Sequence, residues 1–95
     1  MTKDFSKDLD RIREGIDGTD DAFVELLARR RGLVLELAKI KKARGLPIYD
    51  RQREQALVDR VKKRGAALKL NEEFVEVLFR LIMMNSKEVQ YHEAE

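Results

Sequence analysis

Cysteine is absent from this 95-residue chain, proline occurs once, and aromatic residues make up only 6%. Without cysteine there can be no disulfide framework and no thiolate metal site, and a reducing compartment poses no difficulty, so a cytoplasmic protein is expected. Long apolar runs are missing too. Nowhere do ~20 consecutive apolar residues occur that could span a bilayer, and the polar start from Met1 to Asp8 lacks the apolar stretch of a secretory leader. The expectation is a soluble protein that avoids the membrane and whose mature chain begins at Met1. Neither sign of charge dominates: 20 Lys and Arg against 18 Asp and Glu leave a formal +2, although charged residues are 40% of the chain. A sequence pI near 9.0 would admit a nucleic-acid partner. The basic residues are interleaved with acids, however, and few aromatics sit among them to stack on bases, so no such partner is expected. His92 is the only histidine and has no second ligand at metal spacing. No nucleophile, base and orienting group are arranged for covalent catalysis, and no glycine-rich strand-to-helix turn is present to cradle phosphates. Neither metal nor cofactor is expected.

What the chain does have is helical periodicity. Leu9, Ile12, Ile16, Phe23, Leu26, Leu27, Leu33, Val34, Leu37 and Ile40 recur at threes and fours, as one face of a helix requires. Gly15, Gly18 and Gly32 each weaken a helix interior by about 1 kcal/mol, so a break near Asp17 to Asp20 is an alternative. The apolar stripe keeps its phase across them, which favours one continuous helix over about residues 6 to 43. Gly45 and Pro47 end it. Asp50 then reads as the N-cap of a second helix, through Ala56, Leu57 and Val61 to Gly65. Asn71 caps a third, with Glu72 and Glu73 where the helix dipole favours anions, and with apolar positions Phe74, Val75, Leu78, Phe79, Leu81, Ile82 and Val89. No strand pattern, repeat or low-complexity tract interrupts this. The fold expected is all-α, a single domain over residues 1–95 with three helices: long, short and medium.

Length adds a second expectation. A first helix of that extent would run roughly 55 Å at 1.5 Å per residue, against ~30 Å for a compact globule of 95 residues. Another subunit must therefore cover its apolar stripe, most simply in an intertwined two-fold homodimer.

Some polar residues share faces with apolar ones. Arg30 and Lys41 are eleven residues apart, almost a whole number of turns, so they point the same way with Val34 and Ala38 between them. They either flank an anion-binding groove or form a solvated stripe. Arg13 lies about 25 Å before Arg30 along the axis, so within one chain it cannot reach that groove; across an antiparallel dimer it could enter the partner's. Ser86 and Gln90 extend the line of Val75, Phe79 and Ile82, either as site residues or as helix-end solvation. Asp50, Arg53 and Glu54 occupy the first turn of the second helix, where capping alone would account for the aspartate. Met83 and Met84 read as core or interface filler.

Together these residues resemble the all-α chorismate mutases. Ile12-Arg13-Glu14-Gly15-Ile16-Asp17 with Asp20, then Leu26-Leu27-Ala28-Arg29-Arg30-Arg31 and Lys39-Ile40-Lys41, are similar to that family's first helix. Asp50-Arg51-Gln52-Arg53-Glu54 resembles its D-x-x-R-E signature, and Ser86-Lys87-Glu88-Val89-Gln90 its S-x-x-x-Q end. Coverage runs from about residue 9 to 91. The resemblance implies conversion of chorismate to prephenate, an intramolecular Claisen rearrangement on the route to phenylalanine and tyrosine. It implies that Arg30 and Arg13 of a second subunit grip the two carboxylates, with Arg53 and Ser86 in support. Glu54 and the loop at Asp50 would hold the ring hydroxyl, while Lys41 and Gln90 donate to the ether oxygen. Because the chain stops at Glu95, it is expected to be monofunctional or excised from a bifunctional relative, and without a regulatory domain. Two rivals are an isochorismate pyruvate lyase of the same fold and a non-catalytic helical dimerisation module.

Overall fold

The computed structural model describes residues 5–94. Three helices account for nearly all of them, and among the described residues no strand is present. The first, α1, runs unbroken over Ser6–Arg44. Gly15, Gly18 and Gly32 do not interrupt it, so the in-phase apolar stripe prevails over the weak propensity of three isolated glycines. Helix α1 stops where Gly45 takes the left-handed conformation at φ 64°. The Leu46 N–H then folds back onto the Lys41 carbonyl (2.9 Å), satisfying an acceptor that the helix end would otherwise leave unpaired.

Helix α2 spans Arg51–Ala67 and α3 spans Glu72–Ala94. Asp50 caps α2, its Oδ1 accepting from the Arg53 N–H at 3.0 Å, and Asn71 caps α3 by accepting from the Phe74 N–H at 2.9 Å. The end of α2 corrects one expectation. Gly65 is not its stop: the helix continues to Ala67, and Lys69 adopts the left-handed cap conformation at φ 63°. The Leu70 N–H bonds the Gly65 carbonyl (2.9 Å) and the Lys69 N–H the Ala66 carbonyl (3.0 Å), the paired closure usually built around glycine.

Gly65 serves packing instead. It is buried between α2 and α3, and a Cβ there would lie 2.8 Å from Cγ2 of Val75. Around this contact Leu57, Val58, Val61, Val75 and Met83 form the core, with Phe79 packed against it. At the rim Lys62 pairs with Glu76 (3.1 Å), which also binds Arg80 one turn on (2.7 Å). The Arg80 and Lys62 hydrogen bonds hold the Glu76 carboxyl below its ordinary pKa.

The chain divides into two compact units, Met1–Gly32 and Leu33–Glu95. In the first, the described residues are Phe5 and the first part of α1, whose stripe of Leu9, Ile12, Ile16, Phe23 and Leu26 is exposed. The second contains the end of α1 with α2 and α3, and there Val34 and Ala38 of α1 are buried. No helix of the described residues is long and apolar enough to cross a membrane.

Candidate active site

Lys41 sits in the last turn of α1, on the face that buries Val34 and Ala38. Its ammonium donates to the Ile48 carbonyl (2.9 Å) and to Oε1 of Gln90 on α3 (3.0 Å). The second bond dictates the orientation of the Gln90 amide, because the reverse rotamer would press NH₂ against NH₃⁺. With Oε1 turned to the lysine, Nε2 donates to the Ser86 carbonyl at 3.3 Å. Gln90 is only 6% exposed and Ser86 9%. Ser86 Oγ donates in turn to the Ile82 carbonyl (2.9 Å). Among the described residues no buried side-chain nitrogen or oxygen lacks a partner, so this polar group is compatible with its apolar setting.

A second cluster adjoins the first through the chain itself. Glu54, in the first turn of α2, pairs with Lys87 of α3 at 3.2 Å, and Lys87 is the covalent neighbour of Ser86. The Lys87 ammonium also lies 5.1 Å from the centre of the Tyr49 ring, and Tyr49 follows the Ile48 that binds Lys41. The chain reversal between α1 and α2 thus supplies a carbonyl to one cluster and an aromatic face to the other. An open cleft bordered by Leu81, Met84, Glu88 and Tyr91 reaches Tyr49 and Lys87 from outside; neither Lys41 nor Gln90 lines it.

Of the residues expected to form a site, Lys41 is bonded to Gln90 and Gln90 to Ser86, while Glu54 is bonded to Lys87, the neighbour of Ser86, all within the Leu33–Glu95 unit. Asp50 and Arg53 have exposed side chains beside them, and Asp50 acts as a helix cap. Arg13 and Arg30 belong to the other unit, the first exposed and the second half-buried. Sequence reasoning passed over Lys87. Its only advance signal was a cation adjoining Ser86, with an acid, Glu54, on the helix expected beside it.

Chemically, the Lys41 and Gln90 pair presents two N–H donors, one charged and one neutral, held by partners that leave each a proton to spare. Three ammonium protons face two protein acceptors, and two amide protons face one. Such an arrangement suits an oxygen that gains negative charge during reaction.

The model of the family described as chorismate mutase type II matches residues 12–91 of this chain, a stretch that contains every residue just placed. The T-protein of Enterobacter agglomerans is 35% identical over 79 residues, covering 83% of this chain but 21% of that protein. The chorismate mutase of Methanocaldococcus jannaschii is 32% identical over 82 residues, covering 86% of this chain and 83% of the relative. A bifunctional chorismate mutase/prephenate dehydratase from Buchnera aphidicola is 37% identical over 79 residues, 83% of this chain and 20% of that protein. The chain thus spans about a fifth of the two longer relatives and is comparable in size to the archaeal one. With the all-helical fold and the matched span in agreement, this chain belongs to the chorismate mutase type II family.

Proposed function

We propose that this chain converts chorismate to prephenate in aromatic amino-acid synthesis, as a single cytoplasmic domain over residues 1–95 that works as a homodimer. The observation that carries the reading is the 3.0 Å bond between Lys41 and Gln90, which joins donors from two helices into one polarised group. The rearrangement breaks a carbon–oxygen bond and forms a carbon–carbon bond within one molecule. Nothing need be covalently attached to the enzyme. What the reaction requires is a compact conformer of a flexible dianion and stabilisation of the charge that grows on the ether oxygen.

Each residue then has a task set by its chemistry. Lys41 supplies positive charge to the ether oxygen, and Gln90 adds its remaining amide proton. Arg30, with Arg13 from a second subunit, clamps the carboxylates, since guanidinium forks match carboxylate geometry. Arg53 and Ser86 support that grip, while Glu54 and the loop at Asp50 accept the ring hydroxyl. A rate gain of about 10⁶ needs only ~8 kcal/mol of differential binding, within reach of positioning plus two preorganised donors. Support for the dimer comes from the exposed apolar residues of α1, a face that monomeric proteins rarely leave in water.

The decisive assay follows loss of chorismate and identifies the product. Prephenate is expected, together with tight binding of a bicyclic dicarboxylate that mimics the transition state. Release of pyruvate from isochorismate without mutase turnover would overturn the reading, as would failure to bind the analogue.

A further inference from the structure

Glu54 can hold a hydroxyl only if its carboxylate is aimed, and a short flexible acid in the first turn of a helix does not aim itself. The aiming is visible in the structure. Lys87 Nζ lies 3.4 Å from Oε1 and 3.2 Å from Oε2 of Glu54, so the ammonium straddles the carboxylate and holds it in place at the edge of α3. Both side chains are largely shielded, 29% exposed for Lys87 and 22% for Glu54, which spares the pair much of the screening that weakens surface ion pairs. Lys87 is itself positioned, because its ammonium sits over the Tyr49 ring, a contact that favours a cation in one place. A single ammonium contact leaves most of the carboxylate's lone pairs available.

We propose that Lys87 is a positioning residue of the mutase site, acting through Glu54 to fix the acceptor for the substrate's ring hydroxyl, with Tyr49 as its seat. This rests on the role given above to Glu54. The hydroxyl is bound in both ground state and transition state, so loss of Lys87 weakens binding more than turnover.

A double-mutant cycle with Lys87→Met, Glu54→Gln and the double variant tests this, with kcat, KM and thermal unfolding measured for each. Lys87→Met is expected to lower kcat/KM roughly five- to tenfold, mainly through KM, as suits a shielded ion pair. Lys87→Arg should recover most of the loss, and the double variant should be no worse than Glu54→Gln alone. A merely structural lysine would lower the melting temperature and leave KM unchanged, which overturns the proposal. Near-normal kinetics for Lys87→Met beside an impaired Glu54→Gln would refute the role of Lys87 and spare that of Glu54. Normal kinetics for Glu54→Gln would remove both. Losses that multiply in the double variant would show that Lys87 acts independently of Glu54, and the proposal would fall.

Discussion

Lys41 and Gln90 differ in how their chemistry responds to pH, and that difference makes their roles separable. An amide donates at every pH, whereas a carboxylic acid donates only while protonated. Replacing Gln90 by Glu keeps the shape but ties donation to titration. The Gln90→Glu variant is expected to retain activity mainly in acid and to lose it as pH rises; a pH profile matching wild type would remove Gln90 from contact with the ether oxygen. Lys41→Ala deletes the charged donor outright, and kcat should fall a hundredfold or more, the range of a lost oxyanion-type donor. Steady-state kinetics settle it, and near-normal turnover would eliminate the lysine. Both residues were legible beforehand, because each broke an apolar pattern on a helix face and each matched a family motif. Their direct bond was not, since 49 residues separate them and the resemblance brings them together only through the substrate's ether oxygen. Lys87 was hidden as well. Its value lies in its partner across α2 and α3, and a lone lysine near a helix end reads as solvated.

The elements were read more successfully at their beginnings than at their ends. Asp50 and Asn71 announce α2 and α3 because a capping side chain has a local job. The expected end of α2 at Gly65 falls two residues short, because a glycine late in a helix can either stop it or, as here, let a neighbour such as Val75 approach. These two duties predict opposite mutational effects. Gly65→Ala improves helix propensity by about 1 kcal/mol, yet it overpacks a stiff β-branched neighbour, which costs ~1–3 kcal/mol. Net destabilisation is expected in urea unfolding, and a stabilised variant would show that Val75 yields freely. Lys69 carries the strain that glycine would relieve, of order 1 kcal/mol for a left-handed residue with a Cβ. Lys69→Gly is expected to raise stability by up to that amount, less the entropy glycine adds to the unfolded chain.

For the whole molecule, burial is the telling quantity. The core of α2 and α3 consists of a few residues, while Ile12, Ile16, Phe23, Leu26, Leu33 and Ile40 of α1 are each more than 40% exposed. In the dimer proposed above, a chain so lean in core gains its stability by association. Light scattering at micromolar concentration should report a dimer, and Ile16→Glu should lower both association and helicity. A fully helical monomer of wild-type sequence would defeat the dimer and, with it, the delivery of Arg13 to a neighbouring site. The all-helical class could be read from periodicity alone, since no stretch alternates as a strand does. The expectation of a partner rests on the extent of the first apolar stripe against the size of the chain, and the exposure of that stripe supports the proposed dimer.

The turn after α1 holds Lys41 at both ends. Its carbonyl accepts from Leu46 and its ammonium donates to Ile48, so one hairpin bend clasps the residue from backbone to tip. The bend is therefore a poor place to splice in a tag or a linker, however exposed Leu46 is. A few added residues between Gly45 and Ile48 would leave three intact rods and a lysine released from its tether, and the protein would lose turnover well before it lost its fold.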